Sequence, residues 1–391
     1  MKPPKSGSVK AKVLVAESEA TILEWLCDVL SHAGFDVAPA SDGDDALRVC
    51  RAAAINIVLA DASLSGMNGY ELCHWLKRYY VGDFIPVILM TRFPDIQKGV
   101  ECGADEYVIK PVRSDEVIAR INAMLRIQEL HRRLLKEYRM LDDEFRTVGQ
   151  IQRSLLPKIV PSYPGFQIAA HYEPCGRAGG DFYDILELDR NKWAFCIGDV
   201  VGHGSPAALV MAITMQILRM FVGAVQRPKT VMTVMNEALE RHIPQGYMVT
   251  MFYALLDLEE KTLVYSSAGH APPFVVHANA RDMEWLQSEK GMPLGASESN
   301  DFDEISFLLK EGDLLICYTD GIVELRDEER QFFGEERLVR RIVNSYGRTL
   351  PSILTDVMQE ADAFVKQNKK PDDLALFALQ YYGEKDPPLV S

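Results

Sequence analysis

The stretch that most constrains the fold is Gly179 to Leu209, GGDFYDILELDRNKWAFCIGDVVGHGSPAAL. Two runs of β-type residues, Phe182 to Leu188 and Trp193 to Ile197, flank the polar cluster Asp189, Arg190, Asn191 and Lys192, which reads as a hairpin turn. With Leu188 facing Trp193, Asp181 and Asp199 reach nearly opposite positions at the open end of the hairpin, give or take a residue. Directly opposed side chains of an antiparallel pair sit only ~5 Å apart. Two unpaired carboxylates that close repel each other, so either a cation lies between them or one is protonated.

The chain has 391 residues, enough for two or three domains at about 100 to 200 residues each. With 48% hydrophobic and 25% charged residues it has the composition of a soluble globular protein. A formal net charge of −14 leaves no basic excess to neutralise phosphates, so the sequence predicts no nucleic-acid partner. The seven cysteines are scattered without CxxC spacing and read as reduced residues of a cytoplasmic protein. No signal peptide is evident, and the most apolar helix, Ala207 to Val225, carries Thr214, Gln216 and Arg219, which fits a buried helix and not a membrane span.

From residue 11 to 126, five short apolar strands alternate with helical segments: Lys12 to Ala16, Phe35 to Ala38, Ile55 to Ala60, Pro86 to Met90 and Glu106 to Ile109. That alternation predicts an α/β domain, a doubly wound parallel sheet of flavodoxin-like type. Ligands bind beyond the carboxyl ends of such strands, where Glu17, Asp61, Thr91 and Lys110 all fall. The pieces KVLVAESE, IVLADASLSGMNGYEL, ILMT and GADEYVIKPV at those ends resemble the receiver domain of two-component response regulators. The resemblance implies Asp61 as phosphoacceptor, Thr91 and Lys110 as contacts of the phosphoryl group, Tyr107 as the switch aromatic and a cis peptide before Pro111. It also implies an upstream histidine kinase and a Mg²⁺ in the receiver pocket. Receivers commonly carry two adjacent acids after the first strand, and this chain has Glu17 and Ser18. One carboxylate fewer weakens the hold on a hard cation. A phosphorylated switch and a receiver kept as a docking module therefore both stay open.

Between residues 127 and 157, Ile127, His131, Leu134, Tyr138, Leu141, Phe145, Val148, Gln152 and Leu155 follow at alternating steps of four and three, ending at Pro157. This heptad seam predicts a helical linker that either pairs two chains in a parallel coiled coil, giving a homodimer, or packs on one of the domains. His131 and Gln152 would weaken a coil while favouring one register.

Residues 158 to 383 carry strand signals with few helices and no βα alternation, which suggests two antiparallel sheets covered by helices. Ser205 and Pro206 read as N-cap and first-turn proline of the apolar helix. Four acids, Asp181, Asp199, Asp320 and Asp372, each stand at a strand end. The motifs IQRSLLP, GGDFYDI, WAFCIGDVVGHGSPAAL, TMFYALLD, YSSAGHAPPF, MPLG, LLICYTDGIVE, FGEERL and DDLAL run in order from Ile151 to Leu376. They resemble the metal-dependent protein phosphatases of type 2C, in particular the bacterial branch that acts in stress-response and sporulation sigma-factor control. The implied fold is an α-β-β-α sandwich with a two-metal centre at one edge. A site of carboxylates, with no His or Cys positioned to compete, suits Mn²⁺ or Mg²⁺. Two such ions ~3.5 to 4 Å apart acidify a bridging water and hold it in line with a phosphoryl group.

In that scheme Asp199 bridges both ions, Asp181 holds one, Asp320 and Asp372 complete the cage, and the Val200 carbonyl is a further ligand. Asp373 reads as a supporting acid exchangeable with Asp372, and Ala375 stands where relatives often have Thr. His203 is a candidate general acid, with a loop histidine as the alternative; His270 reads as structural. The implied substrate is a phosphoserine or phosphothreonine protein of the anti-sigma-factor-antagonist type. The competing expectation is a catalytically inactive scaffold or docking protein, which would be expected to have lost metal carboxylates. All four are present here.

Overall fold

A computed structural model describes residues 10–79, 84–93, 96–158, 163–278, 282–366 and 368–383. The chain divides into two compact units that part between Leu141 and Asp142. In the first unit five strands, β1 (Lys12–Ala16), β2 (Asp36–Ala40), β3 (Ile57–Asp61), β4 (Val87–Thr91) and β5 (Glu106–Ile109), form one parallel sheet in the order β2-β1-β3-β4-β5. Helices α1 (Ala20–His32), α2 (Gly43–Ala52), α3 (Gly69–Tyr79), α4 (Ile96–Cys102) and α5 (Ser114–Leu155) follow the strands in turn. Because both faces are covered, β3 and β4 are buried along their whole length, and alternate residues feed two cores. That double burial is why these strands read as continuous apolar runs. The expected doubly wound fold is the one observed, with a cis peptide between Lys110 and Pro111.

The second unit contains two antiparallel sheets. The first, in the order β13-β10-β9-β8-β7, uses β7 (Phe182–Asp189), β8 (Lys192–Val200), β9 (Val249–Asp257), β10 (Thr262–Ala268) and β13 (Ile305–Leu308). The other runs β12-β11-β14-β15-β6, from β6 (Phe166–Glu173), β11 (Phe274–Val276), β12 (Met283–Trp285), β14 (Leu314–Tyr318) and β15 (Leu374–Tyr381). One core lies between the sheets, where the Phe195 ring stacks on Phe377 with centroids 4.8 Å apart. A second core joins the first sheet to α6 (Ser205–Phe221) and α7 (Pro228–His242). The third joins the other sheet to α8 (Asp320–Val323), α9 (Gly334–Ser345) and α10 (Leu350–Val365). The result is the expected helix-sheet-sheet-helix sandwich.

Two local expectations are corrected. The β7–β8 hairpin turns at Arg190 and Asn191, and Glu187, not Leu188, faces Trp193, because the register slips by one residue between Glu187 and Asp189. The N-cap of α6 is Gly204 at φ 80°, a left-handed conformation suited to glycine, and Ser205 is already helical. The linker seam is divided. Leu134, Tyr138, Leu141 and Phe145 are exposed, whereas Gln152 is buried within the second unit. No helix among the described residues is long and apolar enough to cross a membrane.

Candidate active site

The slipped register places Asp181 directly opposite Asp199, one position beyond the Phe182–Gly198 pair. Gly198 makes this possible: a Cβ there would lie 2.6 Å from the Phe182 ring and 2.8 Å from the Thr250 carbonyl oxygen. Asp181 is only 2% exposed, while Asp199 is half-buried. Burial and then the charge of Asp199 raise the Asp181 carboxyl well above the usual range, and burial pushes Asp199 up to about 7. Asp320, Asp372 and Asp373 add their negative charge around Asp199. Among the described residues no lysine or arginine is paired with Asp181, Asp199, Asp320 or Asp372.

The remaining acids come from the other sheet. Asp320 opens α8 two positions beyond the last residue of β14 and is exposed at the rim; Asp372 stands two positions before the first residue of β15 and is half-buried. Asp373 is buried, and its two oxygens accept hydrogen bonds from the backbone N–H of Gly180 at 2.6 Å and of Cys175 at 2.8 Å. It therefore ties the loop before β7 to the start of β15. Asp372 in turn accepts from the Asp373 N–H at 2.8 Å. The Val200 carbonyl faces Gly180, where a Cβ would come within 2.8 Å of it. His203 is exposed on the loop after β8, near Asp372, whose carboxyl burial holds above its ordinary range. His270 is buried, and its Nδ1 lies 2.9 Å from the Thr250 hydroxyl.

Two residues not singled out from the sequence shape this edge. The Thr319 hydroxyl donates to Asp181 at 2.6 Å and accepts from the Ala375 N–H at 2.9 Å. It links β14, β15 and the hairpin, a role that an apolar strand ending in a Thr-Asp-Gly turn does not announce. Cys175 corrects the expectation of a site free of soft ligands: its sulfur and carboxylate oxygens of Asp372 and Asp373 lie within 4.8 Å of one another. Burial, reinforced by Asp373, pushes its thiol up to about 12. The other donors at this edge are carboxylate and carbonyl oxygens, the kind that Mn²⁺ and Mg²⁺ take.

In the first unit the four expected pocket residues meet at the carboxyl ends of the strands, in a cavity of 570 Å³. Lys110 bridges Glu17 at 2.7 Å and Asp61 at 2.9 Å. The two carboxylates hold its ammonium above the usual lysine range despite burial. Asp61 also accepts from the Ser63 N–H at 3.2 Å, and the Thr91 hydroxyl donates to the Phe93 carbonyl at 3.0 Å. Ser18, in place of a second acid, accepts from the Ser65 N–H at 3.2 Å. Tyr107 is half-buried with its hydroxyl against Gly99, where any Cβ would collide with it.

One chain thus carries a five-stranded parallel sheet of receiver type and a two-sheet sandwich edged by acids, and comparison with known proteins finds a match for each. Residues 13–122 match the family described as response regulator receiver domain, and residues 189–382 match Stage II sporulation protein E (SpoIIE). The chain thus joins a receiver domain to a SpoIIE-type PP2C phosphatase domain. It is 29% identical over 189 residues to the phosphoserine phosphatase RsbU of Bacillus subtilis, covering 48% of this chain and 56% of that protein. It is 26% identical over 257 residues to the protein IcfG of Synechocystis sp., covering 59% of this chain and 40% of that one. The chain spans about half the length of these relatives. The solved RsbU and RsbW domains of Rv1364c from Mycobacterium tuberculosis superpose with a TM-score of 0.53 at 28% identity, covering 60% of this chain and 65% of that one.

Proposed function

We propose that the protein is a receiver-regulated, metal-dependent phosphatase that hydrolyses phosphoserine or phosphothreonine on a regulatory protein of the anti-sigma-factor-antagonist type. The observation that carries this reading is the Asp181–Asp199 pair, raised in pKa and joined by Asp320 and Asp372, with no lysine or arginine among the described residues paired to any of the four. A fold keeps such a cluster at the expense of stability, and a cation is what relieves it. Asp181, Asp199, Asp320, Asp372 and the Val200 carbonyl would hold two Mn²⁺ or Mg²⁺ ions, with Asp199 between them. Bound there, the ions would supply an acidified water and positive charge for the phosphoryl oxygens.

The chain's own residues do the rest. Thr319 fixes the Asp181 rotamer, and Asp373 holds the loop that carries it. His203, exposed beside Asp372, is the candidate to give a proton to the departing serine or threonine oxygen as the phosphorus–oxygen bond breaks. Similarity to a phosphoserine phosphatase supports the choice of ester.

In the receiver, Asp61 is the phosphoacceptor for an upstream histidine kinase, with Thr91 and Lys110 on the phosphoryl group, Glu17 on a Mg²⁺ and Tyr107 as the switch. The exposed seam from Ile127 to Phe145 pairs two chains. The protein acts in the cytoplasm.

The test is phosphate release from a phosphoserine peptide with Mn²⁺, against the same reaction by Asp199→Asn. The reading predicts release by the unaltered chain alone; equal rates would overturn it.

A further inference from the structure

Gln152 is the one seam residue of α5 whose burial a coiled coil does not explain. It is 2% exposed, and both ends of its carboxamide are satisfied on the loop that leads into Asp181. Its Oε1 accepts from the Gly179 N–H at 3.0 Å, while its Nε2 donates to the Gly179 carbonyl at 2.7 Å and to the Tyr172 hydroxyl at 2.9 Å. Gly179 thus meets the carboxamide as it would meet a neighbouring strand, with donor and acceptor both matched.

Gly179 has no side chain with which to hold itself. Nor can it acquire one, since a Cβ there would lie 1.9 Å from an oxygen of Asp373. The loop is therefore fixed from outside, by Asp373 on one side and by α5 on the other. The helix makes further attachments to the same hairpin. A Cβ on Gly149 would lie 1.8 Å from the Arg177 carbonyl oxygen, so helix and loop backbones touch. Arg177 pairs with Asp142 at 2.9 and 3.1 Å. Arg219 donates to the Leu155 carbonyl at 2.7 Å while gripping Asp184 of β7 at 2.7 Å.

We propose that Gln152 is a positioning residue of the acid site: from the last turns of α5 it fixes Gly179, and through Gly179 and Gly180 it sets the place of Asp181. The inference rests on the reading of Asp181 as a metal ligand. Groups that orient a ligand affect metal affinity about as strongly as 10-fold to 100-fold when removed. The coupling is reciprocal, so a cation held by Asp181 must in turn tighten the seat of α5.

The test is calorimetric titration of Mn²⁺ into the full chain, with amide hydrogen exchange of residues 175–181 followed in parallel. Gln152→Ala is expected to weaken Mn²⁺ binding roughly 10-fold or more and to speed exchange in that loop while β8 and β9 stay protected. In the unaltered chain Mn²⁺ is expected to slow exchange in the last two turns of α5. Should Gln152→Ala unfold the second unit, Gln152→Glu keeps the shape and the acceptor, loses the donor to the Gly179 carbonyl, and carries the same comparison. Asp181→Asn separates the two layers of the claim. If Asp181→Asn loses Mn²⁺ and the Gln152 variants bind it as the unaltered chain does, the positioning role is wrong and the metal site stands. Unchanged binding in Asp181→Asn overturns the metal site itself.

Discussion

The two units each gather acids at the end of a sheet, and they balance them in opposite ways. In the receiver, Glu17 and Asp61 share the ammonium of Lys110, so the chain itself supplies a counter-charge to the pair. In the phosphatase domain, Asp181 and Asp199 face each other with Asp320 and Asp372 nearby, and among the described residues no lysine or arginine is paired with any of them. A lysine that bridges two carboxylates makes a pocket that folds without help from solution. An unbalanced quartet makes one that folds against its own repulsion and gains when a cation enters. The difference separates a pocket built to be read from a pocket built to be loaded.

The comparison breaks most visibly in activity. Asp199→Asn should lower phosphate release roughly a thousandfold, on the scale of several kcal/mol that cation chemistry contributes to a phosphoryl-transfer barrier. Measured in a chelator, the same substitution should raise the unfolding midpoint of the second unit, because one of two repelling buried carboxylates is gone. A lowered midpoint would mean that the pair is already balanced.

The receiver should respond with the opposite sign. Lys110→Ala removes the ammonium paired with Asp61 and with Glu17, which is 2% exposed, and urea unfolding should show a loss of about 3 kcal/mol, the scale for removing one partner of a buried pair.

The pH dependence sharpens the contrast further. Asp199 rises from 3.8 in a free chain to about 7 in the fold, so without metal the folded protein holds its proton more tightly than the unfolded chain does. The contribution of Asp199 to the stability of the metal-free second unit should therefore be fully present below about pH 4, fall as pH rises towards 7, and level off above. Saturating Mn²⁺ should reverse the slope, since the ions require the ionised carboxylates. Thermal melts across that range, with chelator and with Mn²⁺, read both arms. The smallest effect is expected from Ser18→Asp, which restores a second acid beside Glu17. It should strengthen Mg²⁺ binding to the receiver by about tenfold, as one added carboxylate does for a hard cation.

Much of this was legible in the sequence, for reasons that differ by element. The receiver strands announce themselves because a parallel sheet covered on both faces leaves little room for polar residues in β3 and β4. Asp181, Asp199, Asp320 and Asp372 are legible because each stands where an apolar run stops. Register is less so: the irregularity near Leu188 moves the Asp181 partner by one place, and an extra residue in a strand leaves no mark in composition. Thr319 escapes notice because a Thr-Asp-Gly triplet is ordinary turn chemistry. Gln152 escapes for another reason. Its spacing fits the heptad seam, and helical period tells which residues share a face without telling what that face meets. Cys175 is brought near Asp372 only by the pairing of β15 with β6, nearly the whole domain apart in sequence.

The central claim, that the unbalanced quartet is a two-cation site, is tested most directly by equilibrium dialysis of the metal-free chain against Mn²⁺, with Asp199→Asn alongside. The account predicts that the unaltered chain binds two more tightly held ions than the variant, because Asp199 serves both positions. An equal number of ions at equal affinity in the two proteins would contradict it.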